Sequence, residues 1–438
     1  MIKAISKGYR RVSSVKASYV SCGFCYTALP GVYPSHFRRV AAAQPKEIAI
    51  VGTGPAALMA ASVVATQGHR VSVYEKNPGP GRKLLIAGGS GLNISNSLPL
   101  EEFAAEYSGD GIDWPALLRQ FSPPDWLAFI HHLNLETFEG TSGRYFVREM
   151  KASGLLRAWL ADLAAKDVVF HYGHELKDFQ KADRERIRLH FSGAQPVTVD
   201  AAVLALGGAS WLAEKETLSW PQIFAAKDIP VTPFAAANCG YEVNWKKEFL
   251  AEAVNQPLKN VIFTSSAGSK KGDILITAYG IEGTPVYTCG RSETCFIDLK
   301  SDLSIRQIQQ KLEAVRENLS PLRRAKKALG LSPAALALIY HHAPSDELRT
   351  NAALAQLVKN FPLALLKPRP LSEAISSSGG IALSEVSAEF ELKKFPRVFA
   401  VGEMLDWSAP TGGFLIQACV SQGHAAGSAL CRNFTAAG

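Results

Sequence analysis

The apolar pattern is weak over the first 46 residues and sharpens at Glu47. Residues 47–51 form a short apolar run of the kind carried by strands buried on both faces. Residues 55–67 are Ala-rich and helical in character, and Gly68 supplies a stop. Residues 71–74 repeat the strand texture, so 47–75 reads as one βαβ unit. Helices are expected at 101–107, 123–133 and 155–165, with a strand at 168–172. Residues 203–206 form another buried strand, ending in Gly207-Gly208.

From about 211 to 365 the texture changes. Short β-like pieces fall at 259–264, 273–278, 284–288 and 294–298, followed by a helical block rich in Lys, Arg, Glu and Leu over about 303–360. Buried-strand character returns at 398–401, and a helix over 414–430 closes the chain. At 438 residues the chain exceeds what one core usually organises. The pattern predicts an α/β fold in three parts. A basic leader occupies 1–46, a discontinuous nucleotide-binding domain 47–210 and 366–438, and an inserted substrate domain 211–365.

Composition narrows the class. With 47% hydrophobic and 20% charged residues, the chain is neither disordered nor a disulfide scaffold. No run of 18 apolar residues suggests a membrane span. The net charge of +8 is confined to the start. Residues 1–46 hold eight of the 47 basic residues and no acid, leaving 39 of each sign beyond them. A nucleic-acid partner is therefore not expected, and a small-molecule substrate is. The leader reads as an extension to a cytoplasmic protein, although an acid-poor, Arg- and Ser-containing start also suits an organelle transit peptide. Seven scattered cysteines fit buried thiols in a reducing compartment, and Cys22-Gly-Phe-Cys25 lacks a second pair.

The chemistry begins at Gly52-Thr-Gly54-Pro55-Ala56-Ala57, which follows a strand and opens a helix. Gly52 permits the turn, Gly54 lets a pyrophosphate approach the backbone, and Ala57 allows close helix–strand packing. The helix start offers free N–H groups to phosphate. Glu75 ends the second strand, where its carboxylate can accept both ribose hydroxyls and would repel a 2′-phosphate. A dinucleotide of the FAD or NAD type is expected.

Two further segments carry more information: Gly81 to Asn96 (GRKLLIAGGSGLNISN) and Val401 to Gln417 (VGEMLDWSAPTGGFLIQ). With them the sequence resembles the BaiN/YhiN-like FAD-dependent oxidoreductases over about 47–434. Other matches include Gly143-Arg-Tyr-Phe146, Ala205-Leu-Gly-Gly-Ala-Ser-Trp211, Asn238-Cys-Gly240 and Tyr279-Gly-Ile-Glu-Gly283. The resemblance implies a Rossmann-like three-layer FAD domain interrupted by a β-barrel-like insertion with a small helical subdomain. It implies that Gly52, Gly54, Pro55 and Ala56 hold the pyrophosphate, and that Glu75 and Lys76 lie at the adenosine ribose. Arg82, Lys83, Gly88, Gly89 and Asn93 would lie along the cofactor. Leu176 would meet adenine, and Gly207, Gly402 and Glu403 would line the middle. Gly412-Gly413 would open the helix facing the isoalloxazine, where its dipole stabilises charge on reduced flavin. Relatives commonly carry Gly-Ser-Asp-Gly after the position of Trp211, where this chain has residues 212–218 of different character.

The expected activity is FAD-dependent hydride transfer through flavin N5 to or from a small organic substrate, with NADH or NADPH as a transient donor. No second Gly-x-Gly-x-x-Gly in βαβ context accompanies the first, so such a donor would visit the substrate side. Asn238, Lys259, Thr277, Tyr279 and Glu282 are the insertion residues to test first. His131 and His132 read as helix-surface residues, and no cluster has metal-ligand spacing. Alternatives are a flavin-dependent RNA-modifying enzyme and a non-catalytic dinucleotide-binding or redox-sensing scaffold.

Overall fold

The computed structural model describes residues 44–89, 91–140, 142–212, 217–343 and 350–436. Most of the leader, with Cys22 and Cys25, lies outside the described residues, as do 213–216 of the divergent loop.

The buried apolar runs assemble as parallel strands. Glu47–Val51 is central, flanked by Ala201–Leu204 and Arg70–Glu75, with Val398–Ala400 and Val169–Tyr172 at the edges. Every neighbouring pair is parallel. Such strands must be covered on both faces. Helix Pro55–Thr66, buried along nearly its whole length, forms one cover together with Phe414–Ala436. The two helices meet closely because Gly423 faces Ala56, where a Cβ would stand 2.2 Å from its carbonyl oxygen. An antiparallel meander of Leu176–Lys181, Ile187–Phe191 and Val197–Val199 forms the third layer. Phe191 stacks on Tyr74 of the parallel sheet at 4.4 Å.

A second core runs from Val243 to Leu365. It is built on a six-stranded antiparallel sheet ordered Tyr241–Glu242, Gly280–Glu282, Gly268–Ile276, Pro257–Ser265, Thr294–Asp298, Phe361–Ala364. The chain beyond the last strand returns to the first. Leu366 N donates to Glu242 O at 2.8 Å, Glu242 N to Lys367 O at 3.0 Å and Arg369 N to Gly240 O at 2.8 Å. These bonds curl the sheet into a barrel-like ring and remove its open edge. Helices Ile305–Glu313, Pro321–Leu329, Pro333–His342 and Asn351–Lys359 occupy the expected helical block. Ser304, Ser332 and Thr350 cap three of them.

Two expectations change. Residues 284–288, read as β-like, lie in a helix, Thr284–Cys289. Their β-branched composition suggested a strand, but Pro285 in the first turn fits a helix start. The second core also begins later than residue 211. Trp220, Ile223, Phe224 and Val231 pack with the first core, and Val231–Ala237 pairs with Ser376–Ile381.

Candidate active site

A cleft lies at the carboxyl ends of the parallel strands, where open α/β sheets bind ligands. Gly52, at φ 113°, turns the chain out of the first strand; a Cβ there would stand 2.3 Å from the Ala205 carbonyl oxygen. Gly54 precedes helix Pro55–Thr66, and no side chain caps that helix. A Cβ on Gly54 would meet nothing within 4 Å, which leaves backbone facing open space. The uncapped N-terminus and bare glycine form a cradle of the kind that takes a pyrophosphate.

Glu75 is buried at the cleft wall and already braced. It accepts from the Thr53 hydroxyl and from Asn77, through backbone N at 2.9 Å and side-chain Nδ2 at 2.6 Å. Thr53 Oγ1 in turn accepts from Gly81 N at 3.0 Å. These bonds aim the carboxylate, which keeps lone pairs for ribose hydroxyls. Deeper in the cleft, Lys83 Nζ donates to Gly208 O at 2.6 Å, and Glu403 lies across from it. Burial pulls the Lys83 ammonium down and pushes the Glu403 carboxyl up, the latter opposed by Lys83. Both side chains retain some exposure toward the cleft itself. Burial also pushes the Cys419 thiol well up, so it is no thiolate nucleophile.

Twelve of the sequence-predicted residues line this cleft: Gly52, Gly54, Pro55, Ala56, Glu75, Lys76, Arg82, Lys83, Leu176, Gly207, Gly402 and Glu403. Gly88 does not. It ends helix Arg82–Ala87 and packs on Ala152, where a Cβ would stand 2.3 Å from the Ala152 Cβ. Gly89 follows it and is likewise outside the cleft lining. Asn93, Gly412 and Gly413 gather elsewhere, around the strand Asn93–Asn96. Gly413 lies against the Ser95 backbone, Asn96 Nδ2 donates to Gly412 O at 3.4 Å, and helix Phe414–Ala436 starts immediately after. Asn93 Oδ1 is buried without a hydrogen-bond partner. An orphaned acceptor beside a glycine-opened helix is a place where a bound group is missing a donor contact. Both loci therefore fit a flavin dinucleotide. Sequence reasoning missed Thr53, although it stands between the two glycines.

The start of that last helix meets the second core along a polar seam. Asn238 is buried and donates to Ala409 O at 2.8 Å and Ser376 Oγ at 2.6 Å. Arg144 Nη2 donates to Thr284 Oγ1 at 3.2 Å. Tyr279 donates to Glu282, and Tyr287 Oη lies 3.5 Å from the other carboxylate oxygen. Burial raises the Glu282 carboxyl and raises the Tyr287 phenol further. Arg369 stacks 4.3 Å over the Tyr279 ring and pairs with Glu242 and Glu373. Burial thus favours the protonated form of both Glu282 and Tyr287. Thr277 accepts from Gly280 N near the same strand, whereas Lys259 is exposed on another face. His131 and His132 are half-buried, contacting Thr137 and Asp162. Cys239, Cys289, Cys295, Cys419 and Cys431 are free and buried. Among the described residues no metal-ligand cluster occurs, and no helix is long and apolar enough to cross a membrane.

Residues 46–429 match the HI0933-like protein Rossmann domain. A ribosomal RNA dihydrouridine synthase of Haemophilus influenzae is 22% identical over 89% of this chain and 99% of its own length. A 3-dehydro-bile acid delta(4,6)-reductase of Clostridium scindens is 23% identical over 87% of this chain and 98% of its own. Among solved structures, a flavocytochrome c3 fumarate reductase is similar at TM-score 0.48 and 15% identity, covering 89% of this chain and 78% of its own. A 3-ketosteroid-delta4-(5alpha)-dehydrogenase of Rhodococcus jostii also gives 0.48, at 12% identity, covering 90% and 99%.

Proposed function

The chain belongs to the HI0933-like Rossmann family of flavoprotein oxidoreductases, and from that premise we propose that it is an FAD-dependent reductase of carbon–carbon double bonds conjugated to a carbonyl. The observation that carries the reading is the cleft itself: an uncapped helix start, a bare glycine and a braced carboxylate at the strand ends. Gly52, Gly54 and Glu75 would hold the adenosine diphosphate half. Lys83, Gly207, Gly402 and Glu403 would flank the middle, with Asn93, Gly412 and Gly413 at the isoalloxazine. FAD supplies two-electron hydride chemistry when bound.

The names of the relatives support the substrate class. A dihydrouridine synthase and a delta(4,6)-reductase each add two hydrogens across a carbon–carbon double bond. Such an addition also needs a proton at the neighbouring carbon. Glu282, with its raised carboxyl and its bonds to Tyr279 and Tyr287, is suited to hold that proton at the seam. Its burial keeps the acid form populated closer to neutral pH than an exposed glutamate's. NADH or NADPH would serve as donor by visiting the same side.

The test is an anaerobic titration of the FAD-loaded protein with NADH and NADPH, followed by reoxidation with a cyclic enone. Bleaching of the flavin band and its recovery on adding the enone are expected. A bound flavin reoxidised by oxygen but by no enone would overturn the substrate class.

A second reading replaces the small enone with a uracil ring in RNA. It is favoured by Arg306, Lys311, Arg323, Arg324, Lys326 and Lys327 on the helices Ile305–Glu313 and Pro321–Leu329, where the described residues include one acid, Glu313. Salt-sensitive binding of a ribosomal RNA fragment would support it.

A further inference from the structure

We propose that Arg144 is the cation that binds the carbonyl oxygen of the substrate; this rests on the reductase reading and deepens it. Arg144 sits on the strand Arg144–Val147 of the first core, half-buried. Its guanidinium points at the seam from two sides. Nη2 donates to Thr284 Oγ1 at 3.2 Å, at the start of the second core's helix Thr284–Cys289. Nε lies beside Gly412, where a built Cβ would stand 3.4 Å away. The side chain therefore spans the gap between the opening of the C-terminal helix and the insertion.

What Arg144 lacks is an anion. No described carboxylate lies within ion-pair distance of it. Among other half-buried arginines, Arg186 pairs with Glu47 and Asp200 and Arg369 with Glu242 and Glu373, whereas Arg324, away from the seam, donates to the Asn351 side-chain oxygen. A guanidinium carries five N–H donors, and a single neutral hydroxyl accepts one of them here. Leaving a half-desolvated charge without a counter-charge is costly, which favours an incoming oxygen that bears negative charge.

The position suits the chemistry. When hydride reaches the β-carbon of a conjugated carbonyl, the double-bond electron pair shifts onto the oxygen as an enolate. A proton then arrives at the α-carbon, the substrate has gained two electrons, and the reduced flavin has lost them. A fixed cation at the oxygen stabilises the charge as it develops. Glu282 and Tyr287, two residues before and three residues after Thr284, stand on the same segment that carries Arg144's hydroxyl partner. Oxygen ligand and proton store thus flank one seam, joined through Thr284.

The test reads binding, using the oxidised FAD-loaded protein and p-nitrophenolate as an oxyanion probe. FAD content is measured first in wild type, Arg144→Met and Arg144→Lys, and probe affinity is then followed through the flavin spectrum. Undiminished FAD in all three, with affinity about tenfold or more weaker in Arg144→Met and intermediate in Arg144→Lys, is expected. An FAD-loaded Arg144→Met that binds the probe as wild type does, or a wild type that does not bind it, overturns this inference alone. A protein that takes up no FAD overturns the reductase reading and this inference with it.

Discussion

The nucleotide cleft and the seam are built from different materials. The cleft is largely backbone: two glycines, a helix start and strand ends, with Glu75 as its most specific side chain. The seam is side chains, with Arg144, Asn238, Glu282 and Tyr287 drawn from elements that meet only through the fold. Backbone sites recognise what every dinucleotide shares, whereas side-chain sites choose substrates. The two should therefore fail in different ways when altered.

The largest effect is expected at Gly52. Gly52→Ala must place a Cβ 2.3 Å from the Ala205 carbonyl oxygen at φ 113°. Strain alone costs roughly 1–3 kcal/mol, and the clash adds to it. FAD content after purification should fall to near zero and the thermal midpoint should drop. Retained FAD would show that the turn is not the pyrophosphate cradle. Glu75→Ala comes next. It removes the acceptor for ribose and leaves Thr53 and Asn77 without theirs. A charged hydrogen bond is worth about 1.5–3 kcal/mol, so FAD binding should weaken about tenfold to a hundredfold in a fluorescence titration.

Gly240→Ala should do the reverse. A Cβ there would stand 2.8 Å from the Tyr279 hydroxyl and 2.9 Å from Glu282 Cγ. Displacing the proton-holding group should lower turnover about ten- to hundredfold while FAD affinity stays unchanged. Loss of FAD would merge the two regions and break the distinction. Glu282→Gln sharpens it further with a smaller effect. Burial raises the Glu282 carboxyl, so its ionised form is disfavoured in the folded protein. Stability from this group is fully present at low pH and declines as pH rises through the raised value. The glutamine variant should match wild type in thermal midpoint at acidic pH and exceed it at neutral pH. A constant difference across pH would contradict the assignment.

The same contrast explains what could be read from the chain. Strand, Gly52, Gly54, helix and Glu75 are contiguous, and their spacing carries the geometry, so the βαβ unit was legible. Gly402 and Glu403 could be placed only through the family resemblance, and they do line the same cleft across 350 residues of sequence. The seam left no local signature. Arg144 stood inside a recognisable Gly143-Arg-Tyr-Phe146 stretch, but nothing near it in sequence names Thr284 as its partner. Residues 284–288 looked β-like because Thr, Val and Tyr favour strands, while the helix Thr284–Cys289 packs against Gly268–Ile276 and Pro257–Ser265. The ring closure between Glu242 and Leu366 joins segments more than a hundred residues apart, which periodicity cannot reveal. Gly88 was a cofactor candidate through the family resemblance; it packs on Ala152, outside the lining of the cleft.

The most direct measurement is a titration of flavin-free protein with FAD, read by quenching of flavin fluorescence, in wild type and Gly52→Ala. One FAD per chain, bound at micromolar affinity or tighter in wild type and lost in the variant, is the predicted result. Saturable binding that is indifferent to Gly52, or wild-type protein that leaves the FAD free, would contradict the claim that the strand-end cleft holds the flavin nucleotide.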